Sequence, residues 1–133
     1  MPIYHIAEMK KERPIVNPAM VFQTVVGEFM KVGIVSKPEG EGPPLHMHPN
    51  EEQFTLILEG KLHMILGDED RIVEVGDLIH IPRFTQHRSR PVGGPAVFFT
   101  VKYPAGSGDL NQDYNKVEGA EEAEKKYPGK SKG

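Results

Sequence analysis

The sequence predicts an all-β domain made of two antiparallel sheets, and three observations lead there. Short runs rich in β-branched and aromatic residues recur along the chain. Fourteen glycines and twelve prolines punctuate those runs, which favours many short strands over long helices. The length of 133 residues sets a single domain, yet is enough to bury a core.

The segments follow in order. Residues 1–19 are mixed and interrupted by Pro2, Pro14 and Pro18, so they read as an irregular arm with one short strand. Strand runs then come as MVFQTVV (20–26), FMKVGIVS (29–36), LHMH (45–48), QFTLILE (53–59), KLHMIL (61–66), RIVEV (71–75), DLIHIP (77–82), HRSR (87–90) and AVFFTVKY (96–103). LGDED (66–70) is expected to be a hairpin turn, because Gly-Asp supplies the backbone freedom, and VGGP (92–95) is a second candidate. Phe22, Phe29, Phe98, Phe99 and Tyr103 are assigned mostly to the core, some of them walling a cavity. From Pro104 large apolar residues thin out and charges crowd in. KVEGAEEAEKKY reads as a short surface helix weakened by Gly119, and the final PGKSKG as a frayed end. The expected organisation is therefore an arm (1–19), a β domain (20–103) and a short irregular or helical appendage (104–133) that is not a second domain.

Composition removes several classes of function. A net charge of −3 does not suit an electrostatic nucleic-acid binder. No apolar run approaches the length of a membrane span, and MPIYHIAEMKKERP has no secretory apolar core. Cysteine is absent, which removes disulfides and thiolate chemistry and fits a cytoplasmic protein. Any metal must be held by imidazole, carboxylate, amide or water.

The stretch PPLHMHPNEEQFTLILEG (43–60) carries the chemistry. On a strand, residues i and i+2 share a face, so His46 and His48 stand roughly 6.5 Å apart at Cα with Met47 turned away. Two imidazoles at that separation can converge on one ion. Later, in GDLIHIPRFTQH, Gly76 and Asp77 start a strand and Pro82 ends it. His87 follows, and in an antiparallel sheet it can return beside the first pair.

These residues resemble the cupin superfamily, specifically its small single-domain members. The first cupin motif places Gly, His-X-His, Glu and Gly at set intervals, matched here by Gly40, His46, His48, Gln53 and Gly60. The second is matched by Gly76, Pro82 and His87, with Phe84 where glycine is usual and Pro91 where asparagine is usual. The resemblance implies a jelly-roll β-barrel of two antiparallel sheets, spanning about 20–103. It also implies one divalent transition metal ion (Fe, Mn, Zn, Ni or Cu) on His46, His48, His87 and a fourth ligand. That ligand is Gln53 if the strand and its turn set the register, or Glu52 if the gap after His48 is the shorter one. Neighbours on a strand face opposite ways, so only one of them points inward. The sequence favours Gln53, which leaves Glu51 and Glu52 solvated on the loop or outer face. A neutral amide beside three neutral imidazoles keeps the full charge on the ion, but cannot act as a base. The catalytic proton-transfer group is unassigned.

Parity puts Thr55 and Ile57 on the face of Gln53, with Phe54, Leu56 and Leu58 opposite. Thr55 suits the pocket or the core equally. His63 and His80 read as structural histidines rather than acid/base groups, and His5 as incidental. Arg83, Arg88 and Arg90 flank His87 and invite the idea of anion steering. Alternation turns Arg88 and Arg90 away from its face, which assigns them to solvent or a dimer contact.

The resemblance implies a metal-dependent enzyme on a small, oxygen-rich, metal-chelating substrate, with dioxygenase chemistry ahead of non-redox isomerisation, cyclisation or ring opening on a sugar acid or polyketide-like molecule. A non-catalytic small-molecule binder is the other alternative. A homodimer is expected from exposed strand edges and the arm.

Overall fold

The computed structural model describes residues 2–15 and 17–128. After a 3-10 turn at Ile6–Glu8 come β1 (Val21–Val26), β2 (Lys31–Lys37), β3 (His46–Met47), β4 (Glu52–Glu59) and β5 (Lys61–Leu66). They are followed by β6 (Glu69–Glu74), β7 (Leu78–Ile81), β8 (His87–Pro91), β9 (Ala96–Tyr103), β10 (Asn115–Lys116) and the helix α1 (Ala120–Lys125). Every predicted strand run forms a strand, with ends moved by no more than two residues.

The strands make two antiparallel five-stranded sheets, β1-β2-β9-β4-β7 and β10-β3-β8-β5-β6. The period of two in the sequence becomes two faces. On β4, Gln53, Thr55 and Ile57 are buried while Phe54, Leu56 and Leu58 are exposed. Phe22, Val35, Ile57, Leu62, Met64 and Phe98 belong to the core between the sheets. The outer face of the first sheet stays bare and apolar at Phe54, Leu56, Leu58 and Leu78.

Two connections carry the chain from one sheet to the other, β4 to β5 through Gly60 and β8 to β9 through VGGP. VGGP is therefore a crossover and not the hairpin expected of it, because β8 and β9 lie in different sheets. The two crossovers touch: a Cβ at Gly60, whose φ is 77°, would fall 2.3 Å from the Pro95 carbonyl oxygen. Only glycine fits there. LGDED does form a tight hairpin, with Leu66 opposite Glu69.

Several packing expectations are overturned. Phe29 and Tyr103 are exposed rather than core, while Phe22 and Phe98 are buried. The short strand of the arm reduces to a single bridge, Glu12 to Phe22. Gly119 does not weaken the helix from within; it precedes it at φ 88°, and α1 starts after it. The frayed end expected at PGKSKG falls, from Gly129 on, outside the described residues.

The largest correction concerns what residues 104–128 do. They run back over the β domain. Leu110 enters the core, where a Cβ at Gly33 would meet its Cδ1 at 2.4 Å. Strand β10 pairs with β3, putting Lys116 opposite His46. Arg88 and Arg90 are then not solvated, although alternation turns them outward as expected: both are fully buried on the outer face of the second sheet. An Arg88 guanidinium N–H donates to the Ala123 carbonyl, and Arg90 pairs with Glu124 at 2.5 Å and donates to the Gly42 carbonyl. The Tyr127 hydroxyl donates to the Pro91 carbonyl.

Candidate metal centre

The site begins with β3, a strand of two residues whose partner on one side is β8, with His46 directly opposite His87. His48 follows one step of the same parity further on. The three buried imidazoles each offer a ring nitrogen, and these nitrogens lie within 4.8 Å of one another. Ring centroids are 5.0 Å apart for His46 and His48, 4.3 Å for His46 and His87, and 5.1 Å for His48 and His87. The structure thus brings together the three histidines singled out in the sequence.

Their tautomers are set by the backbone. Nδ1 of His46 lies 2.7 Å from the Pro44 carbonyl, Nδ1 of His48 lies 3.0 Å from that of Asp113, and Nδ1 of His87 lies 3.0 Å from that of Thr85. Each carbonyl accepts the Nδ1 proton and leaves Nε2 as a bare lone pair. Outer hydrogen bonds of this kind orient imidazoles that bind metals.

Burial keeps all three rings neutral. It pushes His46 down to about 2, helped by the charge of His87; His48 to about 3, helped by Lys102; and His87 to about 4, against the raising effect of its Thr85 hydrogen bond. Neutral imidazole is the metal-binding form.

Gln53 lines the same cavity. Its Nε2 donates to Thr100 Oγ1 at 2.7 Å and to Thr55 Oγ1 at 3.2 Å. Thr100 spends its one hydroxyl proton on the Phe54 carbonyl, so its oxygen must accept, and it therefore faces the amide NH2. Gln53 Oε1 is left buried with no hydrogen-bond partner. An orphaned acceptor beside three bare Nε2 atoms fits a divalent ion, since every one of the four is a neutral donor awaiting a partner. Glu52 lies on the other face of β4, exposed and paired with His80 at 2.7 Å. His80 also stacks on Phe54, away from the cavity. His63 is buried beside Asp70 at 2.6 Å and does not line the cavity.

Glu51 departs from expectation. It is buried, not solvated, and joins Lys31 at 2.6 Å and Lys102 at 3.8 Å. The register explains this, because Lys31 stands opposite Lys102 and Lys102 opposite Gln53. Lys31 also donates to the Asp109 carbonyl and Lys102 to that of Leu110, so the cluster ties residues 109–110 across the sheet.

The cavity holds about 680 Å³ of atom-free space with its open mouth included. Apolar walls, among them Met20, Phe22 and Phe98, surround the polar groups, as is usual for small-molecule sites. Two lysines, Lys37 and Lys102, also line it. Neither was singled out in the sequence, though a signal existed. Lys31 and Lys37 share the parity of buried Gly33 and Val35 on β2, and Lys102 that of Phe98 and Thr100 on β9. The contribution of Asp113 had no such signal, since it acts through a backbone carbonyl.

A family model described as a cupin domain matches residues 33–102. The chain is similar to quercetin 2,3-dioxygenase from Bacillus subtilis, 33% identical over 64 residues, which cover 48% of this chain and 19% of that protein. It is similar also to an uncharacterized protein of Methanocaldococcus jannaschii, 37% identical over 68 residues, 50% of this chain and 54% of the other. The chain thus matches about a fifth of the first relative's length and about half of the second's. Among solved structures, KdgF from Halomonas sp. superposes with a TM-score of 0.73 at 16% identity, over 81% of this chain and 97% of that one.

Proposed function

The chain belongs to the cupin domain family, and from that premise we propose that it is a metal-dependent enzyme acting on a small, oxygen-rich organic molecule by dioxygenase-type chemistry. The ion would be held by Nε2 of His46, His48 and His87 and by Oε1 of Gln53. One observation carries this: four neutral donors around one cavity have no protein partner left, because backbone carbonyls take the imidazole protons and Thr100 turns the amide. Such donors suit Fe, Mn, Zn, Ni or Cu. A divalent ion there would supply a full positive charge to polarise a bound substrate oxygen. The chain's own part is to keep the imidazoles neutral, orient the four donors, and offer a largely apolar cavity. The similarity to quercetin 2,3-dioxygenase supports oxygen consumption.

The test is to measure metal content and follow oxygen uptake with diketone, catechol-like and unsaturated uronate substrates, loading Fe, Mn, Ni and Cu in turn. Uptake with one of these metals, lost in His48→Ala, is the expected result. If no metal supports uptake, the dioxygenase assignment fails. Turnover without oxygen would move the protein to the isomerases, cyclases or ring-opening enzymes, and binding without turnover to the small-molecule binders.

The same proposal includes a homodimer. The outer face of the first sheet leaves Phe54, Leu56, Leu58 and Leu78 in solvent, a contiguous apolar patch of the kind interfaces use. A monomer in size-exclusion chromatography with light scattering would contradict it.

A further inference from the structure

Lys37 is the one cavity lysine without an acid. It ends β2 on the inward face and is 5% exposed. Its ammonium bonds to the Ser89 carbonyl at 2.9 Å and to Ser89 Oγ at 3.0 Å, and to nothing else among the described residues. An ammonium has three donors, so one remains unanswered. No carboxylate oxygen of the described residues lies within 4 Å of it, whereas Lys31 and Lys102 share Glu51. The charged groups that bear on it, Arg88, Arg90 and Lys102, are all positive. A buried charge without a counter-ion is costly. The Phe98 ring, 5.2 Å from Nζ, offsets only part of that cost.

The position is as informative as the charge. Lys37 lines the same cavity as the three histidines and Gln53. It crosses from the first sheet to Ser89, which shares the face of His87 two residues further along β8, roughly 6.5 Å away at Cα. An ammonium and a group of metal-binding donors thus share one cavity, separated by about the length of a small organic acid.

We propose that Lys37 is a specificity residue that pairs with a carboxylate of the substrate, so that the site takes small oxo- or hydroxy-carboxylic acids whose other oxygen faces the histidine cluster. The second half of this rests on the metal-centre assignment above; the carboxylate contact does not. Burial, with the neighbouring positive charges, also pulls the lysine down to about 7. An incoming carboxylate opposes those effects and holds the proton on the amine.

The probe pair is 4-oxopentanoate and its methyl ester, which differ in the charge Lys37 would read. Calorimetry on the metal-loaded chain is expected to show the acid binding about 10- to 100-fold more tightly than the ester, as hydrogen bonds to charged partners allow. Lys37→Met and Lys37→Gln should lose that preference at unchanged metal content, and Lys37→Arg should keep part of it. Acetate, titrated into the metal-free chain, should bind wild type and not Lys37→Met. That measurement separates the two ideas: acetate binding with no metal uptake sinks the metal centre alone. Equal affinity for acid and ester in wild type, binding of neither, or a preference that survives in Lys37→Met overturns the proposal. If the Met and Gln variants do not fold, the wild-type acid-to-ester ratio and the arginine variant still decide it.

Discussion

Strand β8 buries polar side chains on both of its faces, and the two sets differ in kind. Inward, His87 and Ser89 look into the cavity. Outward, Arg88 and Arg90 are covered by residues 104–128. The outward arginines meet protein: Glu124, the Ala123 and Gly42 carbonyls, and the Tyr127 ring. The inward groups end on atoms that nothing in the chain answers, the imidazole Nε2 atoms and Gln53 Oε1, with Lys37 beside them holding one unused donor. Burial by itself therefore does not mark a functional polar group. What marks it is burial with a partner still missing. Glu51 obeys the same rule from the other side, since two lysines answer it and it acts as structure.

Four measurements can break or sharpen this contrast. The largest effect is expected at the inner face. His48→Ala should lose bound metal by more than the 10- to 100-fold that loss of an outer-shell partner costs. The metal-free variant should keep its fold by circular dichroism. Metal retained at full stoichiometry would mean the inner face has another purpose.

Acid should also act through the inner face. In the metal-free chain the three histidines resist protonation until about pH 4, 3 and 2, while unfolded histidine takes its proton near 6.5. The unfolded state then binds more protons below that value. Their contribution to stability is complete above pH 6.5 and is lost as pH falls toward 4, by at most on the order of 1 kcal/mol per pH unit for each histidine. Urea midpoints between pH 7 and 4.5 check this, and His48→Ala should flatten the slope.

At the outer face, Glu124→Gln leaves two buried guanidinium groups short of a charge partner. Glu124 is partly exposed, which moderates the loss to about 1–3 kcal/mol. Urea unfolding measures it, and metal content should not change. If metal falls in parallel, the two faces are not independent.

The smallest effect belongs to the turn that leads into β8. Phe84 holds φ 64°, a left-handed conformation that suits glycine, and its amide donates to the His48 carbonyl. Phe84→Gly relieves that strain at some cost in unfolded-chain entropy, for a net gain of about 0.5 kcal/mol in thermal unfolding.

Period-two alternation made most of the fold legible, because every strand buries one face. It also placed His46 and His48 together and put Gln53 inward rather than Glu52. Phe84 was visible as a departure from the motif, and its positive φ shows that the backbone kept the turn while the side chain changed. Glu51, Arg88 and Arg90 were misjudged for one reason. Their burial depends on a segment that returns from beyond residue 104, and no local pattern announces that return. Lys37 shared the parity of the core, but a charged side chain at a strand end ordinarily reads as solvated.

The same return gives the site a timetable. His46 needs β8 on one side and β10 on the other, and its pairing partner Lys116 is made 70 residues after it (116 minus 46). At 5–20 residues per second, that is roughly 4–14 s of synthesis. For those seconds the first histidine pair is in the growing chain without the carbonyl of Asp113 or the cover of Leu110. The donors are written early and the enclosure late, so a metal taken up in its final setting is taken up by a finished chain.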